Sequence, residues 1–387
     1  MNYVNVPNDS FKLLQNLIKK YPSHKEILDE IDSNLNQRLW HQLSDNINKF
    51  ASNEDIQKSS DLIELYNGLI LFVESSLNPM KFLHFVQLLL SNYKGKMEEG
   101  LSFVENVENK MKFEGEEKLY VQILKGYCYL DLNKMYDLED ILNNIKIEFE
   151  KRSEIDPVIY IDFYRLSTYF YEKKENYDEF YHNAFQYLAY QNQISDLEKL
   201  NLCFKMCVAS LIGERMFNFA ELIEKDFFKL MQGTQHEWIY NLILSFNSSK
   251  VDQFLQMIKN YESQIKSNNI LKDKIDFLGM KIRIAALLDL IFSKNKNERI
   301  ITYDEVIKIC KTDKNEIEYI VMKALSLKLI KGYINQVEEK ITINWIQPKY
   351  LDKEKIKVLY GRFENWIAKA NKILTDFQEN GAPLLNN

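Results

Sequence analysis

Glycine and proline are scarce in this chain, with 11 glycines and 6 prolines among 387 residues. The pair supplies about a third of the roughly 12% that average usage would give. Sandwiches, propellers and barrels need turn residues at short intervals, and disordered linkers are rich in both, so the shortage disfavours all of these. Long helices joined by short polar turns remain. Cysteine is also sparse. Cys128, Cys203, Cys207 and Cys310 are too few for a disulfide framework and fit a reducing compartment. No uncharged apolar run approaches the ~20 residues of a membrane helix; Phe82 to Tyr93 is too short and contains His84. The N-terminal MNYVNVPNDS has no basic region followed by an apolar stretch, so no secretory signal is expected. Charge of one sign is lacking too: 50 basic against 56 acidic residues leave a net −6. Such a balance does not mark a nucleic-acid or membrane-surface binder. The expectation is a soluble intracellular protein of roughly two to three domains.

Catalytic and metal-binding motifs are missing as well. No two glycines lie two or four residues apart, which removes both GxGxxG and GxSxG. Gly95-Lys96 is no phosphate loop, because Leu90 stands where its first glycine belongs and Met97 replaces the magnesium-binding Ser or Thr. His236-Glu237 opens like a zinc-protease helix, but Tyr240 occupies the place of the second histidine. His24, His41, His84 and His182 are isolated, and no His-x-His pair exists. Cys203 and Cys207 share a helix face at i, i+4 but lack the further ligands of structural zinc, so they are expected to be packing residues. No catalytic residue, cofactor site or metal site is expected.

What the chain has is helical periodicity as far as about residue 298. Leu62, Ile63, Leu65, Tyr66, Leu69, Ile70 and Val73 recur at helix spacing, as do Phe82, Phe85, Val86, Leu89 and Leu90 after a start at Asn78-Pro79. Further helices fit 8–20, 24–49, 97–110, 116–131, 135–150, 157–172, 176–190, 195–212, 217–231, 236–246, 250–264 and 270–292. Breaks fall at Lys94-Gly95, Glu114-Gly115, Asp156-Pro157 and Gln232-Gly233. Paired helices without strands suggest stacked hairpins, a tetratricopeptide-like α-solenoid. Aromatics crowd the stretch from Tyr160 to Tyr190. They could form a stacking or peptide-binding surface, but without interleaved basic residues helix packing is the expected use.

The pattern changes near residue 299. Thr302 and Glu305 form a capping box, followed by a short helix with Val306, Ile307 and Cys310 inward and a second from Asp313. Lys331-Gly332 is read as its glycine C-cap. GYINQV and KITINWI then read as a hairpin, the second run alternating Ile341, Ile343 and Trp345 with polar residues. Helix, helix, hairpin is a winged-helix plan. Its second helix, the groove-reading element in DNA-binding winged helices, carries only three lysines against two glutamates, so protein contact is favoured over nucleic acid. One last helix runs from about Asp352 to Phe377. Ile356, Phe363, Ala370 and Phe377 fall seven apart, and Leu359-Tyr360, Trp366-Ile367 and Ile373-Leu374 fill the positions between. Such a seam is meant for other helices. At roughly 36 Å or more it is too long for a small winged helix to cover, so the remainder must meet this chain's own solenoid or another protein.

A helical stack leading into a winged helix resembles the PCI module of the proteasome lid, the signalosome and translation initiation factor three. The stretch VMKALSLKLIKGYINQVEEKITINWIQPKYLDKEKI (Val321 to Ile356), with LWHQL at 39–43, LNP at 77–79 and LIGERMFNFAELI at 211–223, is most similar to the lid branch. The resemblance implies a predominantly all-α chain: a right-handed α-solenoid, then a small winged-helix (α+β) PCI subdomain and a long C-terminal helix. The expected divisions are a helical-repeat region at 1–190, a PCI module at 191–350 with its winged helix at 299–350, and a terminal helix and tail at 351–387. It also implies a non-catalytic scaffold in a hetero-oligomeric, cytoplasmic and nuclear complex, with other PCI lid subunits and the lid helical bundle as partners and neither nucleic acid nor membrane. Ile356, Phe363, Trp366, Ile367, Ile373, Leu374 and Phe377 are the expected partner-binding residues. A signalosome or initiation-factor subunit is the alternative, and a winged-helix nucleic-acid adaptor a more distant one.

Overall fold

The structure, a computed structural model, describes residues 8–53, 56, 61–93, 95–111, 113–152, 154–191, 195–294, 299–348 and 353–381. The expected break at Lys94 and the expected helix start at Asp352 lie outside the described residues. The described chain forms two units, one of residues 1–175 and 183–192 and one of 176–182 and 193–387.

In the first unit, prolines open two helices where their missing N–H is no loss. Pro79 follows Asn78, whose side chain accepts from the Lys81 N–H, and Pro157 follows Asp156, which accepts from the Val158 N–H. The elements are α1 (Asn8–Lys20), α2 (Lys25–Gln37), α3 (Trp40–Ala51) and α4 (Asp61–Leu65), which runs on through a π-turn at Tyr66–Ile70 to Val73. Then come α5 (Pro79–Leu90), α6 (Met97–Met111), α7 (Glu116–Asp131), α8 (Met135–Lys151) and α9 (Pro157–Lys173). Neighbours in sequence pack on one another, α2 on α3 and α7 on α8, and α5, α6 and α9 also pack on α7. Phe50, Phe82, Phe85, Tyr120, Phe163 and Phe170 fill the core. A buried carboxylate ties three of these helices together. Asp162 on α9 accepts from Tyr120 Oη of α7 at 2.7 Å and from Gln87 Nε2 of α5 at 2.9 Å, so the polar groups are satisfied inside the core. Helix α10 (Tyr177–Tyr190) contributes to both units.

The helix expected over 24–49 is two helices. Arg38 turns left-handed at φ 57°, its N–H donates to the Leu35 carbonyl and the Leu39 N–H reaches back to Asn34. That is a Schellman ending without glycine. Asn133 and Lys328 end α7 and a wing helix in the same way.

The second unit begins with α11 (Asp196–Ile212) and continues through α12 (Ala220–Ile223), α13 (Asp226–Lys229), α14 (Glu237–Asn247), α15 (Val251–Asn260), α16 (Glu262–Ser267) and α17 (Ile275–Ser293). The helix expected over 217–231 is only the two short turns α12 and α13, because 213–219 wraps a buried lysine instead. The helix expected over 250–264 breaks at Tyr261, leaving α15 and α16.

The wing follows: β1 (Ile300–Thr302), α18 (Tyr303–Cys310), α19 (Lys314–Ser326), β2 (Ile330–Asn335) and β3 (Lys340–Ile346). The capping box is present, with the Thr302 side chain accepting from the Glu305 N–H and Glu305 accepting from the Thr302 N–H. Strand β1 was not expected. It pairs antiparallel with β3, so the sheet order is β1-β3-β2 and the expected hairpin is two-thirds of a three-stranded sheet. Gly332 is not the C-cap of α19: Lys328 takes the left-handed position at φ 58°. Gly332 sits at a register shift in β2, where a Cβ would collide with the Thr342 carbonyl oxygen and come within 3.1 Å of Ile343 Cα. Only glycine permits that approach. The chain ends in α20 (Lys353–Gly381).

Candidate partner-binding surface

Helix α20 has 29 residues and is therefore about 43 Å long. At 3.6 residues per turn, Ile356, Phe363, Trp366, Ile367, Ile373, Leu374 and Phe377 fall within about 140° of its circumference. Lys357, Glu364, Lys372 and Asp376 lie outside that arc. All seven are more than half exposed, from 51% at Ile356 to 75% at Phe377. Tyr360 adds to the same bare face. The helix was expected to rest its first turns on the wing. The side chains of 353–355 and 358, at the start of the helix, lie outside the described residues; no described side chain from 356 to 378 is buried, so the apolar seam is uncovered along its described length. Single exposed apolar residues are ordinary, but a continuous seam of this size is the signature of an interaction surface.

The wing offers a second apolar surface. Tyr319 and Met322 on α19, Tyr333 on β2 and Val337 in the following turn are exposed. Strand β2 is an edge of the described sheet, and an edge strand presents backbone groups on its outer side. Lys314 is engaged by Glu339 across the wing, and the outward residues of the helix include a tyrosine and a methionine. Lys331 lies over the Trp345 ring at 5.1 Å.

The aromatic run from Tyr160 to Tyr190 serves mainly packing. Phe163, Phe170, Phe180 and Tyr181 are buried. Tyr190 stacks on Tyr160 and Tyr164 with centroids 5.5 and 5.7 Å away and planes within 11° and 10°. The cysteines are also interior: all four are free and buried. Cys203 and Cys207 lie 3.4 and 3.7 Å from the Met231 sulfur, and burial pushes the Cys207 thiol well up. Among the described residues, no group of three or more His, Cys, Asp and Glu side chains could hold a metal ion. No helix there is long and apolar enough to cross a membrane.

Residues 27–243 match the model of the PSD13 N-terminal repeats and residues 257–345 match the PCI domain. The chain is 28% identical to 26S proteasome non-ATPase regulatory subunit 13 homolog A of Arabidopsis thaliana, covering 94% of this chain and 96% of that protein. It is 28% identical to the 26S proteasome non-ATPase regulatory subunit 13 of Dictyostelium discoideum, over 93% and 94% of the two chains. It is 26% identical to the 26S proteasome regulatory subunit RPN9 of Saccharomyces cerevisiae, over 91% and 92%. With more than half of its length matched by the first of the two models, this chain belongs to the family of the PSD13 N-terminal repeats, here joined to a PCI domain.

Proposed function

We propose that this chain is a non-catalytic scaffold subunit of the 26S proteasome lid and supports ubiquitin-dependent protein degradation by holding other subunits in place. The names of its relatives support the complex, and the bare face of α20 supports the manner of assembly. Ile356, Phe363, Trp366, Ile367, Ile373, Leu374 and Phe377 enter a bundle with helices of other lid subunits. The exposed wing, with edge strand β2, meets a neighbouring PCI subunit by adding strand to strand. The working divisions are the helical repeats at 1–190, the PCI module at 191–350 and the terminal helix at 351–387. The complex operates in cytoplasm and nucleus.

The carrying observation is the uncovered seam. Burying one large apolar side chain is worth about 1.5–3 kcal/mol, and about 1.4 kcal/mol already changes affinity tenfold. Phe363→Asp with Phe377→Asp should therefore exclude the chain from the lid without unfolding it. Tagged wild-type and doubly substituted chains, expressed in cells and followed on native gels with peptidase staining, test this. Incorporation of the double variant at wild-type level would refute the role of the seam. Recovery of the wild-type chain in a complex lacking peptidase activity would instead favour a signalosome or initiation-factor assembly.

A further inference from the structure

Lys281, on α17, is 1% exposed. Its Nζ donates to the carbonyl oxygens of Ser210 at 2.7 Å, Leu211 at 3.0 Å and Gly213 at 2.6 Å. Ser210 and Leu211 are in the last turn of α11, where carbonyls have no helical partner and the helix dipole is negative. An ammonium carries three N–H donors, and here each has its own carbonyl. Three rings close the site: Phe217, Phe219 and Phe246 lie with centroids 5.4, 5.6 and 6.0 Å from Nζ, within the range of cation–π attraction. The segment 213–219 is built to wrap it. Gly213 leaves no room for a Cβ, which would collide with Asp178 Oδ1 and lie 3.1 Å from the Ala209 carbonyl oxygen. Phe217 and Phe219 point inward while Glu214 and Arg215 stay exposed. Burial lowers the Lys281 amine from its ordinary 10.5 to about 7, and Asp178, which accepts from the Arg215 N–H at 3.4 Å, opposes that fall; the three carbonyl acceptors likewise favour the charged form.

A buried lysine of this kind could be an accident of packing. Buried charges are often replaced by apolar side chains at no cost. The geometry here argues otherwise, because a methionine would leave three buried carbonyls without donors. Helix α17 itself packs on α11, α15, α18, α19 and β3. Whatever fixes α11 and the turn to α17 therefore fixes them to the helix that carries the wing.

We infer that Lys281 is an internal latch whose amine holds the carbonyl end of α11 and the aromatic turn 213–219 onto α17. The stretch LIGERMFNFAELI, singled out in the sequence, is the cage: it supplies two of the carbonyls and two of the rings. The side chain acts as a bound alkylammonium that happens to be tethered.

Full-length Lys281→Met and Lys281→Ala test this. In Lys281→Met, which keeps the bulk, backbone amides across 211–219 should exchange with solvent about tenfold faster or more, while those of α2 and α3 keep their protection. In Lys281→Ala, n-propylammonium chloride, the group removed, should restore the melting temperature and the protection of 211–219. Sodium chloride and tetramethylammonium chloride, which have no N–H donors, should not. If Lys281→Ala does not fold, refolding yield with and without propylammonium gives the same reading. Wild-type protection of 211–219 in Lys281→Met, or no recovery of Lys281→Ala by propylammonium beyond that with sodium chloride, overturns the latch.

Discussion

Lys294 places its Nζ 2.7 Å from each carboxylate oxygen of Glu305, tying the residue after α17 to the first turn of α18. Glu305 is also the reciprocal member of the capping box with Thr302. One glutamate thus secures both the start of the wing and its attachment to the preceding helix.

The Lys294 hydrogen bond, with help from the Thr302 backbone, holds the Glu305 carboxyl below its ordinary value of 4.5. A depressed carboxyl adds stability above its unfolded value and loses it as pH falls through the folded one. Wild-type stability should therefore drop below about pH 4.5 partly through this group. Glu305→Gln should melt lower at pH 7 and show a shallower acid slope. Thermal melts from pH 3 to 7 check both; parallel curves for the two proteins would show that Glu305 is not coupled to the fold.

The bare face of α20 predicts an asymmetry. No described side chain from 356 to 378 is buried, so ending the chain after Lys355 removes almost no described packing. The melting temperature of the isolated chain should be unchanged by that truncation. A fall of several degrees would mean that the helix braces its own chain.

Gly332→Ala should be costly out of proportion to one methyl group. The added Cβ meets main-chain atoms of Thr342 and Ile343, which cannot swing aside as a side chain can. A loss of about 2 kcal/mol or more is expected, with amides of β2 and β3 losing exchange protection first. Near-neutral behaviour would mean that the bulge can relax.

Arg38 and Lys328 hold left-handed backbone at φ 57° and 58°, which costs a residue with a Cβ roughly 1–2 kcal/mol. Glycine removes that strain but frees the unfolded chain. Arg38→Gly and Lys328→Gly should each stabilise by about 0.5–1 kcal/mol net. Denaturant midpoints that fall instead would show that the arginine or lysine side chain contributes more than its backbone costs.

These left-handed caps also explain where sequence reading failed. Helix endings are read from glycine, and in a chain with 11 glycines most endings are made by other residues. In sequence, Arg38 reads as the interior of one long helix, and Gly332 reads as a cap because Lys328 carries no signal. The run MFNFAEL has helical periodicity, yet Phe217 and Phe219 pack on a lysine 64 and 62 residues further on, at Lys281, which no local pattern can show. Strand β1 is three residues long and takes its conformation from β3. By contrast the Thr302–Glu305 box, the alternation of Ile341, Ile343 and Trp345, and the seven-residue spacing of α20 were legible, because each is a local rule satisfied locally. The spacing puts the seven seam residues on one face, but spacing does not show what covers that face.

With partners seated on the α20 seam, as proposed, stability becomes a matter of mass action. A partner that binds the folded chain alone raises its stability by the logarithm of its concentration, about 2.7 kcal/mol at a hundred times Kd. For a protein with a typical total of 5–15 kcal/mol, that increment is large. The same sequence therefore has no single unfolding free energy: it is worth less when made in excess and more when its partners are plentiful. Its abundance can be matched to theirs through turnover of the unbound fraction, with no dedicated sensor.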